Sequence, residues 1–269
     1  MITSKNNSPI AFFDSGVGGL TVLNKVKKIL PNENFVYYGD TLHMPYGEKT
    51  KEQLLEYSDN IFKLFEEMNC KAIVMACNTT SSVIYEEVKD KYSFKLFPIV
   101  QSVSEILSQL PINRLGIFAT RATIESGAYQ REIAKYNKNM QVFGQHCPDW
   151  VHIVEKNSLS DPQSIKTVRE DLEKMMLNNP EKIVLGCTHY PFLLDILTQF
   201  APREMFIDPA ESFAQKIKSD LDKDGLLKTE VERYERFFVS SNPQMFQQSA
   251  EMFYEVKETP ELLTFLNAV

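Results

Sequence analysis

The sequence predicts an α/β fold built from mainly parallel sheets, and three observations carry that expectation. Short apolar runs alternate along the whole chain with stretches of helical spacing. The runs are continuously apolar rather than alternating, as in strands covered by helices on both faces. A weak internal repeat is also visible. Ala11-Phe12-Phe13-Asp14-Ser15 aligns with Gly116-Ile117-Phe118-Ala119-Thr120, and Ile73 to Cys77 aligns with Ile183 to Cys187 at nearly the same offset. Two such matches suggest duplicated α/β halves.

In chain order, Ile10 to Phe13 reads as a strand leaving at Asp14-Ser15-Gly16-Val17-Gly18-Gly19. Leu20, Leu23, Val26 and Leu30 follow at helical spacing until Pro31 stops them. Phe35 to Tyr38 is a second strand, ending at Gly39-Asp40, with a loop over Met44-Pro45-Tyr46-Gly47. A long amphipathic helix is expected from about Lys51 to Met68. Ala72 to Ala76 is the third strand, with a helix over Thr79 to Lys89. Leu96 to Val100 is a fourth strand, with a helix over Ser102 to Leu110.

Leu115 to Thr120 is a fifth strand, followed by a helix through Tyr129 and Ile133; Met140 to Phe143 is a sixth. Ser164 to Leu177 has helical spacing. Ile183 to Leu185 is the strand before Cys187, with a helix expected over Phe192 to Phe200. Met205 to Asp208 is another short strand. A helix over Phe213 to Leu221, a strand around Phe237 to Val239 and two helical segments complete the chain. The expected organisation is one α/β domain from 1–100 plus 208–269 and a second from 101–207, pseudo-symmetric, with the active site in the cleft between them.

Composition narrows the function classes. A formal net charge of −7 opposes a general nucleic-acid surface, which needs a basic face. No apolar run approaches the length of a membrane span, and Met1 to Pro9 has no apolar leader core, so a cytoplasmic location is expected. The four cysteines form no CxxC pair, which argues against a zinc site, and no metal is expected. No lysine stands out as a Schiff-base candidate for pyridoxal phosphate.

Ligands of parallel sheets bind at the carboxyl ends of strands. Asp14, Asn78, Thr120 and Thr188 lie there, beside Cys77 and Cys187. A cysteine after a buried strand is most often a small core residue. Two in equivalent settings, each before an expected helix whose N-terminus favours a thiolate, point instead to two thiols serving one ligand. Asn78, Thr79 and Thr188 add hydrogen-bonding groups suited to a carboxylate. Cys70 and Cys147 lack this context and read as packing.

Asp14 could simply cap a helix; its glycine-rich sequel would also let backbone N–H groups approach an anion, although the spacing is no standard phosphate loop. His189, two residues past Cys187, could tune the thiol or pair with it as a hydrolase base; the plain alternative is a hydrogen-bonded core histidine. Glu155 reads on its own as a solvated helix residue. His43 and His152 have no partner visible in the sequence. Pro45-Tyr46-Gly47 is either a plain turn or a lid whose backbone N–H meets a carboxylate.

Asp14-Ser15-Gly16-Val17-Gly18-Gly19, Pro45-Tyr46-Gly47, Ala76-Cys77-Asn78-Thr79 and Gly186-Cys187-Thr188-His189-Tyr190-Pro191, in this order, resemble the glutamate racemase family of the aspartate/glutamate racemase superfamily. Weaker matches are Ala119-Thr120 with Thr123-Ile124, Cys147-Pro148 with Val154-Glu155, and Ile207-Asp208. Thr80 stands where a small alanine is usual.

The resemblance implies a homodimeric racemase, without cofactor, that interconverts L- and D-glutamate for peptidoglycan synthesis. It implies Cys77 and Cys187 as the acid/base pair, with Asp14, His189 and Glu155 assisting. Substrate contacts fall to Asp14, Ser15, Tyr46, Gly47, Asn78, Thr79, Thr120, Thr188 and His189. The alternatives are a racemase of aspartate or another amino acid, a Cys187/His189 hydrolase, and a silent binder.

Overall fold

A computed structural model describes residues 5–265. Residues 1–4, part of the stretch read above for a leader core, and residues 266–269 lie outside the described residues. The elements are β1 (Ile10–Asp14), α1 (Leu20–Ile29), β2 (Phe35–Gly39), α2 (Lys51–Glu67), β3 (Ala72–Met75), α3 (Asn78–Val88), β4 (Lys95–Pro98) and α4 (Ile99–Leu107). Then come β5 (Arg114–Ala119), α5 (Arg121–Ser126), α6 (Ala128–Tyr136), β6 (Gln141–His146), α7 (Trp150–Glu155), α8 (Pro162–Met176), β7 (Lys182–Gly186), α9 (Leu194–Leu197) and β8 (Phe206–Ile207). The chain continues through α10 (Ala210–Lys223), β9 (Glu235–Val239), α11 (Pro243–Ala250) and β10 (Glu261–Leu262).

The chain forms two compact units. One comprises the residues up to Ile99 with those from Ala210 onward; the other is Val100–Pro209. The first holds a six-stranded sheet of order β10-β9-β2-β1-β3-β4, the second a four-stranded sheet of order β6-β5-β7-β8. Every strand pairing is parallel. The order β2-β1-β3-β4 in one unit corresponds strand for strand to β6-β5-β7-β8 in the other. This is the repeat seen in the sequence, with β1 matching β5 and β3 matching β7.

Local chemistry accounts for the element ends. Thr50 and Gln53 form a reciprocal capping box at the start of α2. Asp161 caps α8 ahead of Pro162. Gly127 adopts φ 62°, a left-handed conformation that glycine takes at little cost, and it divides the expected helix after β5 into α5 and α6.

Past Cys187 the expected helix is also reduced. The N–H of Tyr190 bonds the Cys187 carbonyl at 3.1 Å and that of Phe192 the His189 carbonyl at 3.2 Å, so a 3-10 turn precedes the four residues of α9. In the tail, one helix and the edge strand β10 replace the two expected helical segments.

Each unit has its own aromatic core. In the first, Phe13 of β1 meets Phe62 of α2 and Tyr46 edge-on, with centroids at 5.8 and 6.1 Å. In the second, Phe118 of β5 packs on Trp150, which packs on Tyr190. Burial of each such ring contributes roughly 1.5–3 kcal/mol, and these cores hold the strand ends where the polar residues gather. Among the described residues, no helix is long and apolar enough to cross a membrane.

Candidate active site

In the first unit the polar residues collect at the carboxyl ends of β1 and β3. Asp14, the last residue of β1, is fully buried, and its Oδ1 accepts the N–H of Gly16 at 3.0 Å. The Tyr37 hydroxyl donates to the Gly16 carbonyl at 2.7 Å. A Cβ at Gly19 would stand 2.5 Å from the Cβ of Asp14 and 2.8 Å from the Tyr37 hydroxyl, so only glycine fits there. Burial, then the charges of Asp14 and Cys77, push the Tyr37 hydroxyl well above its ordinary range, and it stays protonated as a donor.

Cys77 follows β3 directly and stands in extended conformation at the N-cap of α3. It is 5% exposed, and its thiol points to Ser15 Oγ at 4.0 Å. Cys77 thus sits at the N-terminus of α3, where the positive end of the helix dipole favours a thiolate. Asn78, Thr79, Thr80, Ser81 and Ser82 are all buried. A helix that opens on five buried polar residues is poorly suited to simple apolar packing.

Tyr46 directs its ring into the core of the first unit, and its hydroxyl donates to Asp40 Oδ2 at 2.5 Å. His43 Nδ1 lies 2.9 and 2.8 Å from the two Asp40 oxygens, and its ring stacks on Tyr57 at 3.8 Å. Tyr46-Gly47 therefore has only its backbone left to offer a ligand. Asp40 and His43 were not singled out by sequence reasoning, and His43 does have a partner. The sequence signal is Gly39-Asp40 at a strand end: Gly39 pairs with Asp14 on the neighbouring strand, and Asp40 lies one residue beyond it.

In the second unit, Cys187 follows β7 and is 8% exposed. With a 3-10 turn after it, the regular helix N-terminus expected there is missing, because the carbonyl of Cys187 closes a tight turn at once. The polarising group is instead His189. Its Nδ1 lies 3.9 Å from Cys187 Sγ and its Nε2 3.2 Å from Glu155 Oε1. Burial alone would lower the imidazole pKa. The Cys187 sulfur beside Nδ1 and the Glu155 carboxylate beside Nε2, which meet the ring as close charged contacts, outweigh burial and lift it to about 10. Glu155 ends α7 with its carboxylate on this imidazole, so it is more than a solvated helix residue.

Thr188 is buried beside Cys187, and Thr120 extends β5, which pairs with β7. The Thr120 side chain accepts from Thr123 N–H at 3.4 Å, a helix cap. Cys70 and Cys147 are buried, and desolvation raises both thiols, Cys70 to about 12. Among the described residues, no group of three or more His, Cys, Asp or Glu is placed to hold a metal ion.

Comparison with known proteins shows the family. The family described as Asp/Glu/Hydantoin racemase matches residues 22–217. The chain is 35% identical over 246 residues to a glutamate racemase from Thermoanaerobacter sp. (strain X514), covering 91% of this chain and 92% of that one. The fold is similar to the crystal structure of glutamate racemase from Francisella tularensis subsp. tularensis SCHU S4 in complex with D-glutamate. There the TM-score is 0.88 at 31% identity, over 97% of this chain and 98% of that one. It is also similar to the Thermus thermophilus glutamate racemase in complex with β-chloro-D-alanine, with a TM-score of 0.85 at 32% identity over 97% and 98%. A chain with these strand-end cysteines, this repeated sheet order and this extent of likeness belongs to the Asp/Glu/Hydantoin racemase family, among its glutamate racemases.

Proposed function

We propose that this chain interconverts L- and D-glutamate by a two-base reaction at Cys77 and Cys187. The observation that carries the reading is the equivalence of the two cysteines: each directly follows the matching strand of a repeated sheet order, β3 in one unit and β7 in the other. Racemisation removes the α-proton from one face of the substrate and returns a proton to the other. Two groups do this in a fixed pocket more readily than one.

The thiolate of one cysteine takes the α-proton and becomes a thiol, leaving the electron pair on the α-carbon and its carboxylate. The thiol of the other cysteine gives its proton to the opposite face and becomes a thiolate. Exchanged roles run the reverse reaction. Hydrogen-bonding groups of Ser15, Asn78, Thr79, Thr120 and Thr188, with the backbone of Tyr46 and Gly47, hold the substrate and stabilise the developing charge. Asp14 serves the Cys77 side. On the Cys187 side, the His189 imidazolium, kept charged by Cys187 and then by Glu155, holds a proton within reach of the sulfur.

The reading extends to a homodimer in the cytoplasm, organised as two domains and supplying D-glutamate to peptidoglycan synthesis. The support for this extension is the resemblance to glutamate racemases.

The test is turnover followed by circular dichroism, together with α-proton exchange in deuterated water. The unaltered chain is expected to racemise glutamate and incorporate deuterium. Cys77→Ser and Cys187→Ser are each expected to abolish racemisation while keeping the fold. Wild-type turnover in either variant would defeat the two-base reading; tolerance of Cys77→Ala alone would favour a hydrolase built on Cys187 and His189.

A further inference from the structure

The second unit contains a buried polar bracket that the reaction above does not use. Trp150 is fully buried, and its Nε1–H donates to Asp171 Oδ2 at 2.9 Å. The indole packs against Phe118 of β5 at 4.7 Å and against Tyr190 at 4.9 Å, the second contact edge-to-face at 62°. The Tyr190 hydroxyl donates to the Cys147 carbonyl at 2.9 Å, and the backbone N–H of Trp150 reaches the same carbonyl at 3.4 Å. Asp171 lies on α8, where its own carbonyl accepts from Gln145 Nε2 at 2.8 Å and Lys174 Nζ stands 3.4 Å from its Oδ1.

The bracket joins two short segments. Trp150 is the first residue of α7, and Glu155 is the last. Tyr190 follows His189 directly. One indole thus braces the helix that presents Glu155 to His189 Nε2 and the turn that presents His189 Nδ1 to Cys187.

An ordinary core needs no carboxylate at this place. Asp171 is 8% exposed, and taking a carboxylate out of water is expensive unless it is paired and hydrogen-bonded, as Asp171 is by Trp150 Nε1–H and Lys174. Desolvation raises its pKa, against the opposing effects of Lys174 and the indole N–H. An apolar residue facing the aromatic ring would make a packed core without that cost. What the Trp150–Asp171 bond adds is a defined rotation of the indole, and with it a defined separation of the segments on either side.

We propose that Trp150, oriented by Asp171, is a positioning residue for the acid–base group of Glu155, His189 and Cys187. The inference rests on the two-base reading given above. Proton transfer is steep in distance, and a misplacement of about 1 Å costs on the order of a hundredfold in rate.

The experiment compares Trp150→Phe, Asp171→Leu and Asp171→Asn in the full chain. It measures kcat, KM and the α-deuterium isotope effect separately with D- and L-glutamate, together with thermal melts. Trp150→Phe and Asp171→Leu are expected to lower kcat by roughly tenfold to a hundredfold with KM changed less than about twofold. The isotope effect should rise for the enantiomer deprotonated by Cys187 and fall for the other, because only the proton transfer at Cys187 is slowed. Asp171→Asn, which keeps an acceptor, should retain most of the activity.

Should Trp150→Phe not fold, Asp171→Leu carries the same comparison with the indole in place. Trp150 is the only tryptophan of the chain, so its fluorescence then reports the loss of the bond directly. Unchanged kcat in a folded variant, or isotope effects that move equally for both enantiomers, would overturn the proposal. Either result would leave the two-base reading standing, since that reading is judged on the cysteine variants alone.

Discussion

His189 Nε2 lies 3.2 Å from Glu155 Oε1, and this contact helps decide the charge of the imidazole. Glu155→Gln removes the negative charge but keeps the shape. The imidazole pKa should then fall from about 10 toward the ordinary histidine range. The alkaline limb of the kcat/KM profile should move to lower pH, and NMR titration of His189 checks the shift directly. An imidazole titrating at the same pH in both proteins would show that Glu155 has no part in it.

The same imidazole couples stability to pH. Unfolded, it releases its proton near 6.5; folded, it keeps that proton until about 10. Between these values the native state binds more protons than the unfolded state, so stability falls as pH rises. The contribution is full below pH 6.5 and gone above about 10. Melting temperatures of the native chain and of His189→Asn should therefore diverge most at pH 6 and converge toward pH 10; parallel curves would contradict the assignment.

Asp40 is buried, with the Tyr46 hydroxyl as one of its donors. Tyr46→Phe removes one of the two donors on Asp40 Oδ2, leaving His43 Nδ1 at 2.8 Å, and should destabilise the fold by about 1 kcal/mol in urea titrations. It should also raise KM for glutamate, because the turn carrying Gly47, whose backbone is proposed above to hold the substrate, loses its anchor. A variant as stable as the native chain would show that His43 alone satisfies Asp40.

Lys71 and Glu33 form a fully buried ion pair at 2.5 Å, and Lys71 also donates to the Asn6 carbonyl at 2.6 Å. Glu33 further accepts the Lys228 N–H at 2.9 Å. Lys71→Met strands the carboxylate and should cost about 3–5 kcal/mol, while Lys71→Met with Glu33→Leu should recover part of that loss. The double-mutant cycle measured in urea decides; additive losses would mean the pair is uncoupled.

The α/β class and the parallel sheets were legible in the sequence because parallel strands are buried on both faces and read as continuous apolar runs. Ile10 to Phe13 and Ile183 to Leu185 are of this kind. The family was legible because its motifs are short and contiguous: a thiol between a strand end and a hydroxyl residue needs only neighbours in sequence. The break at Gly127 and the tight turn after Cys187 were not legible. A glycine or a proline within a helical pattern signals a boundary without saying which hydrogen bonds replace it.

What the sequence determined by itself was the local chemistry: which strand ends carry Asp14, Cys77 and Cys187, and that the second half repeats the first. What only the tertiary structure decided was pairing at a distance. Glu155 to His189, Trp150 to Asp171 and Glu33 to Lys71 each join residues many positions apart. Periodicity records which face of an element is buried, but not which polar groups meet there. Those meetings depend on the order of strands and the packing of helices over them, and they set the charge of His189 as no single stretch of sequence could.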